Sequence, residues 1–179
     1  MKAFNGCTEL KQQLIDMAAE HRKADEYLKG TYGEEDQTTG KFRACSIGCT
    51  IRDVNKIHNK NLSTRNHGAL AKELDIPEFI FHLQDSIFEG LPEPLNIEWT
   101  ERIFNAIPVG KDLTPVLPRF LLKTLDRLPE TDRTDVIASI KQVREVLQNW
   151  ADTGAPDIET ARTAWEQIAN DLIECIEAV

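Results

Sequence analysis

The chain has 179 residues, of which 41% are hydrophobic and 28% are charged, and its formal net charge is −9. This length suits one domain with a real hydrophobic core, and the composition excludes wholesale disorder. No apolar run approaches the roughly 18 residues that span a membrane, and no apolar signal core follows Met1, so we expect a cytoplasmic protein without membrane contact. Its four cysteines form no disulfide framework and are expected to be reduced.

The charge is distributed unevenly along the chain. Residues 1–75 carry 12 Lys/Arg and 11 Asp/Glu, whereas residues 76–179 carry 9 and 19. The acidic half argues against non-specific nucleic-acid binding by the whole chain. Only residues 41–72, with seven basic residues and one acidic residue, offer a basic patch for such contact. The acidic half favours a protein partner, and the oligomeric state stays open.

Residues 8–29 are predicted to form the first helix, because Leu10, Leu14, Met17, His21, Asp25 and Leu28 recur at helical spacing. Thr8 is the predicted cap, and Gly30 is the predicted terminating residue. His21 and Asp25 then share the face expected to be buried, where each needs a partner. A carboxylate beside an imidazole raises its basicity, so this pair is a candidate general base or metal-ligand site. The alternative is an internal network that fixes how the helix docks.

Residues 30–75 are predicted to be rich in loops, with an irregular cysteine-containing segment. Cys45, Ile47, Cys49 and Ile51 alternate with polar or small residues, as in a strand. No other stretch offers a convincing partner strand, so a helical turn or irregular segment is favoured. The choice matters because the two cysteines would lie roughly 6 Å apart on one face of a helix but about 13 Å apart on a strand.

The remaining patterns are helical and predict an all-α fold for residues 1–179, a single-domain bundle of about seven helices. Pro and Gly residues punctuate the apolar stripes of residues 76–179, and the last two helices are expected to be antiparallel neighbours. After the first helix, the predicted helices run over residues 66–74 (capped by Asn66), 77–89, 98–106, 117–128, 132–150 and 157–176.

Cys45 and Cys49 supply a second candidate site. At a helix N-terminus near Arg43 or Arg52, the pKa of Cys45 would fall, and its thiolate would become reactive or able to bind a metal. The alternative is that both cysteines are small buried hydrophobic residues beside a closely packed Gly48. The catalytic candidates of the whole chain are therefore His21, Asp25, Cys45 and Cys49.

Zinc is the first metal to test. The candidate ligands are Cys45, Cys49, His21 and His67, although a Cys-x3-Cys spacing points to zinc less specifically than Cys-x2-Cys. The chain contains no phosphate-binding loop, no dinucleotide fingerprint and no His-Glu-x-x-His motif. No cofactor-binding residue is therefore predicted.

Several short motifs resemble a group of uncharacterised bacterial and phage proteins. They are His21-Arg-x-Ala-Asp25, Gly30-Thr-Tyr32, Gly40-Lys…Cys45-Ser-Ile-Gly-Cys49-Thr and Ile87-Phe-Glu-Gly-Leu-Pro92. The resemblance covers roughly residues 18–113, and Ala44 departs from it where the group places glycine. The resemblance implies a bacterial or phage origin, but it implies no particular activity.

Two functional hypotheses follow from the residues. The first is an all-α interaction or regulatory protein that uses its acidic helical surface or its basic segment. The second is a small metal- or thiol-dependent enzyme or sensor built on Cys45, Cys49, His21 and Asp25. The first is preferred because no complete catalytic constellation can be written from the sequence.

Overall fold

The computed structural model describes residues 1–35 and 39–155, and the chain divides into two compact units, Met1–Leu113 and Thr114–Val179. The single domain over residues 1–179 stays a prediction. In the described ranges the fold is all-α, as predicted. The helices are α1 Thr8–Lys23, α2 Ser46–His58, α3 His67–Leu74, α4 Glu78–Gly90, α5 Leu95–Ala106, α6 Val116–Leu125 and α7 Thr134–Thr153, after a 3₁₀ turn at Ala3–Gly6.

The first helix is shorter than predicted and ends at Lys23 rather than near residue 29. Asp25 has φ = +55°, the left-handed conformation that closes a Schellman motif. The N–H of Glu26 donates to the carbonyl of His21 (3.0 Å), and that of Asp25 to Arg22 (3.3 Å). Aspartate tolerates this conformation better than most residues, so the chain turns here without a glycine.

The same kind of ending closes the next two helices. Asn59 and Asp75 both adopt left-handed conformations as the C-caps of α2 and α3. At the other end of α3, the Asn66 side chain accepts a hydrogen bond from the N–H of Ala69 at 2.9 Å, which confirms the predicted cap. Short polar side chains therefore set helix limits in this part of the chain.

The cysteine-containing segment is the regular helix α2, so the prediction of an irregular, loop-rich stretch there is wrong, whereas α3 closely matches the helix predicted over residues 66–74. In α2, residues 46–51 are all buried, and the helix packs against α1, α3 and α4. The first six residues of α2 are buried on every side, so this part of the helix has no polar face, which is why its periodicity resembled a strand. The strands present are β1 Glu34–Glu35 and β2 Phe42–Arg43, an antiparallel pair that precedes α2.

The core of unit 1 lies around α2 and joins α1 through α5. Helix α1 packs against α5, and α4 packs against α3 and α5. On α4 the buried side chains are Ile80, Phe81, Gln84 and Phe88. Asp85 and Glu89 of the same helix lie close to Cys45 at the start of α2.

In unit 2 the described residues contain α6 and α7, which pack against each other. Helix α7 occupies nearly the predicted range, and the predicted helix over residues 157–176, which includes Cys175, lies outside the described residues. Among the helices that are described, none has both the length and the apolar character needed for a membrane span.

Candidate functional site

His21 lies between two carboxylates, neither of which is Asp25. Its Nε2 is 2.9 Å from Oδ1 of Asp53, and its Nδ1 is 2.5 Å from Oε2 of Glu26. His21 and Asp53 are both buried, and the residues come from α1, α2 and the turn between α1 and β1. The imidazole is thus satisfied on both nitrogens, which fits the internal-network alternative.

The two carboxylates shift the protonation of His21. Burial lowers the pKa of His21, but the hydrogen bonds and charges of Asp53 and Glu26 outweigh it, so the pKa lies above its usual value. Burial raises the pKa of Asp53, although the imidazole opposes this shift. An imidazolium that donates from both nitrogens is the arrangement that satisfies all three groups.

We expect His21 to titrate above pH 6.5, its usual value, in the folded chain. Because the pKa is raised by folding, the stabilisation from His21 is complete below about pH 6.5 and is lost as the pH rises through the folded-state pKa. An NMR titration of the imidazole in the folded chain and in urea measures both values. A folded-state pKa at or below the value in urea would contradict this expectation.

An open cleft lies beside this histidine, with a cavity volume of about 350 Å³. Its wall carries Arg52 and Lys56 as well as His21, Glu26 and Asp53. The Arg52 guanidinium is 3.5 Å from Glu26 and stacks 4.1 Å from the centre of the Phe42 ring. In this cleft, His21 therefore pairs with Asp53 and Glu26, and Arg52 pairs with Glu26.

Asp25 is not on a buried stripe, which corrects the predicted His21/Asp25 pair. Its side chain is 72% exposed and forms ion pairs with Lys41, at 3.3 Å, and with Arg43. Hydrogen bonds from these two residues hold the pKa of Asp25 below its usual value. The physical reason is the helix end described above, which turns residue 25 out of the helical register.

Cys45 and Cys49 do not face the same point. Cys45 is the N-cap residue of α2, and its backbone N–H donates to the carbonyl of Thr31 at 2.7 Å. Cys49 is one turn later, with its Sγ 3.7 Å from the carbonyl oxygen of Ala44 and 4.0 Å from that of Glu26. The two sulfurs therefore do not form the shared site that a helical spacing suggested.

The position of Cys45 at a helix N-terminus does not make it a thiolate. Burial raises the pKa of Cys45 to about 12, and the charge of Asp85 adds to this shift, whereas the N–H groups of Gly48 and Ile47 oppose it. Burial also raises the pKa of Cys49. The expected fall in the pKa of Cys45 is wrong for the metal-free chain, because desolvation and a nearby carboxylate outweigh the helix N-terminus.

Cys45 instead faces two carboxylates on α4. One ligand atom each from Cys45, Asp85 and Glu89 lie within 4.8 Å of one another. Asp85 and Glu89 are one helical turn apart and so project from the same face of α4. A tetrahedral ion with bonds of about 2.0–2.3 Å holds its ligand atoms at separations within this limit.

His67, a predicted metal ligand, lies beside this group of three residues, next to Asp85. Its Nδ1 is 3.3 Å from the carbonyl oxygen of Arg65, which only accepts, so this nitrogen carries the proton. In a neutral ring with this tautomer, the Nε2 atom carries a lone pair. Nε2 lies 3.5 Å from Oδ2 of Asp85. His67 is 7% exposed, and in the described part of the chain both its Nε2 and Oδ1 of Asp85 are buried without a hydrogen-bond partner.

The segment before the β-ribbon holds the two carboxylates. The Tyr32 hydroxyl donates to Oδ2 of Asp85 at 2.8 Å, and the N–H of Gly30 is 3.1 Å from both oxygens of Glu89. The hydrogen bond to Asp85 and burial raise the pKa of Tyr32 to about 12, so its hydroxyl remains a donor. The backbone of the same segment meets Gly48, where an added Cβ would lie 2.1 Å from the Tyr32 carbonyl oxygen. This confirms the predicted close packing at Gly48.

Most basic residues of the predicted patch over residues 41–72 pair with acidic side chains, although the paired basic side chains remain 38–47% exposed. Four of its basic residues form ion pairs: Lys41 and Arg43 with Asp25, Arg52 with Glu26, and Lys60 with Glu73. Contact with nucleic acid through this segment stays a prediction.

The structure therefore separates the predicted candidates into two groups. His21 joins Asp53 and Glu26, while Cys45 and His67 join Asp85 and Glu89. The spacing Asp85-x3-Glu89 was the available signal for the second group, since it places two carboxylates on one helical face. No family model, curated protein or solved structure matches this chain.

Proposed function

We propose that this chain binds a transition-metal ion, with Cys45, Asp85, Glu89 and His67 as the ligands. The observation that carries the proposal is the convergence of a thiol and two carboxylates within 4.8 Å. Nε2 of His67 lies 3.5 Å from one of these carboxylates and has no hydrogen-bond partner among the described residues. The site belongs to the second functional hypothesis, a metal-dependent enzyme or sensor, with a different ligand set. The interaction hypothesis, the cytoplasmic location and the resemblance to bacterial and phage proteins stay predictions.

The chemistry of the ligands favours zinc or a similar metal. A thiolate and an imidazole select transition metals, whereas magnesium and calcium prefer oxygen ligands alone. Zinc accepts sulfur, nitrogen and carboxylate oxygen in a four-coordinate site. Binding would displace the proton of Cys45, and the released proton makes the affinity depend on pH.

The protein supports such a site from three helices. Cys45 begins α2, His67 begins α3, and both carboxylates project from α4. The hydrogen bond from Nδ1 of His67 to a backbone carbonyl is the usual way a protein fixes the tautomer of a ligating histidine. A bound ion would therefore tie these helices together and raise the stability of unit 1.

The experiment is a zinc and cobalt(II) titration of chelator-treated full-length protein in competition with a chromophoric chelator. We expect one bound ion and, with cobalt(II), absorption from a thiolate ligand. Cys45→Ser and Asp85→Asn should each weaken binding by about 100-fold or more, since even supporting residues of metal sites typically contribute 10–100-fold.

Cys49→Ser is the matched control, because Cys49 is a buried cysteine on the same helix whose sulfur faces backbone carbonyls. It should bind metal as the unmodified chain does. The proposal fails if the unmodified chain binds no ion, or if the two cysteine variants lose affinity equally. In that case a protonated His67 paired with Asp85 would account for the cluster, and ¹⁵N shifts of the imidazole would identify that form.

A further inference from the structure

Tyr32 lies next to the proposed ligands without being one of them. Its hydroxyl donates to Oδ2 of Asp85 at 2.8 Å, and its ring is perpendicular to that of His67, with centroids 5.8 Å apart. The same Oδ2 atom faces Nε2 of His67 at 3.5 Å. Tyr32 thus contacts two of the four proposed metal ligands, Asp85 and His67.

The hydrogen bond makes the two oxygens of Asp85 different from each other. Oδ2 is held by the Tyr32 hydroxyl, whereas Oδ1 is buried and has no hydrogen-bond partner in the described ranges. A carboxylate that is anchored through one oxygen presents the other in a fixed direction. Hydrogen bonds of this kind orient ligands, and their loss typically reduces metal affinity by 10–100-fold.

The position of Tyr32 is itself fixed by the fold. Its carbonyl oxygen lies against Gly48 of α2, at a separation that leaves no room for a Cβ. The preceding residue, Thr31, accepts a hydrogen bond from the N–H of Cys45 at 2.7 Å. The segment that carries Tyr32 is therefore bound to the same helix end that carries the proposed thiolate ligand.

We infer that Tyr32 is a positioning residue for the metal: its hydroxyl holds Asp85 so that Oδ1 is directed to the ion. This inference rests on the proposed metal site. It assigns the affinity of that site partly to a residue outside the ligand set. It also links metal affinity to the packing between the Tyr32 segment and α2.

The test compares Tyr32→Phe with Tyr27→Phe by the same competition titration with zinc. Tyr27 is a buried tyrosine five residues earlier. Its hydroxyl is 3.4 Å from the carbonyl oxygen of Ala18 rather than next to a proposed metal ligand. We expect the zinc dissociation constant to rise about 10–100-fold in Tyr32→Phe and to stay within about 3-fold in Tyr27→Phe. The cobalt(II) spectrum should change in Tyr32→Phe alone.

The outcomes separate the inference from the proposed function. If the unmodified chain binds zinc and Tyr32→Phe binds it equally well, the inference is overturned while the metal site stands. Equal losses in both tyrosine variants would also overturn it, because they would indicate a general effect on packing. If the unmodified chain binds no zinc, both the inference and the proposed function are overturned.

Discussion

Gly48→Ala is expected to destabilise unit 1 by about 3 kcal/mol or more, as overpacking of a rigid core does. An added Cβ would lie 2.1 Å from the carbonyl oxygen of Tyr32 and 2.7 Å from the Cβ of Ala44. Neither neighbour is the flexible end of a side chain, so the backbone itself must shift. The gain from replacing a helical glycine by alanine, about 1 kcal/mol, does not offset this cost. Equilibrium unfolding in urea measures the difference.

Gly90→Ala is the matched control for this prediction. Gly90 is also helical, at the end of α4, but nothing lies within 4 Å of the position where its Cβ would be. This variant should be as stable as the unmodified chain or more stable by up to about 1 kcal/mol. If the free energy of unfolding of Gly48→Ala lies within about 1 kcal/mol of that of the unmodified chain, the Tyr32 segment is not packed on α2 as described.

His21→Ala is expected to destabilise the chain by about 3–5 kcal/mol, the usual cost of leaving one partner of a buried ion pair alone. Asp53 is only 4% exposed, and its carboxylate receives both short contacts from Nε2 of His21, at 2.9 and 3.0 Å. Without the imidazole this carboxylate must either stay charged in the core or bind a proton. Urea unfolding at pH 6 checks the result.

The double variant His21→Met/Asp53→Leu keeps this prediction testable even if His21→Ala does not fold. Because apolar replacement removes both buried charges, we expect it to recover most of the lost stability. Asp25→Ala is the control, since its exposed carboxylate belongs to the residue that sequence spacing wrongly paired with His21. Its free energy of unfolding should fall by only about 1–2 kcal/mol, the cost of alanine in the left-handed conformation of this helix end. Equal effects of His21→Ala and Asp25→Ala would contradict the assignment of Asp53 as the partner.

The helical class and several helices could be predicted from local patterns. The extent of α7 and the Asn66 cap of α3 depend on residues within a few positions of one another, and the structure has α7 close to its predicted range and the cap as predicted. The end of α1 was misplaced because the terminating residue is an aspartate in a left-handed conformation rather than a glycine. Helix α2 was missed because its first six residues are buried on every side and so show no helical alternation of apolar and polar positions.

The sequence also identified His21, Cys45 and His67 as candidates, but not their partners. It determined on its own that the chain folds into helices, that His21 needs a buried counter-charge, and that Cys45 and Cys49 stand near a close-packed glycine. Only the tertiary structure decided that Asp53 balances His21, and that Asp85 and Glu89 meet Cys45 and His67. The physical reason is that these contacts join α1 to α2, and α2 and α3 to α4, and such contacts depend on how whole helices rotate as they pack, which no local spacing encodes.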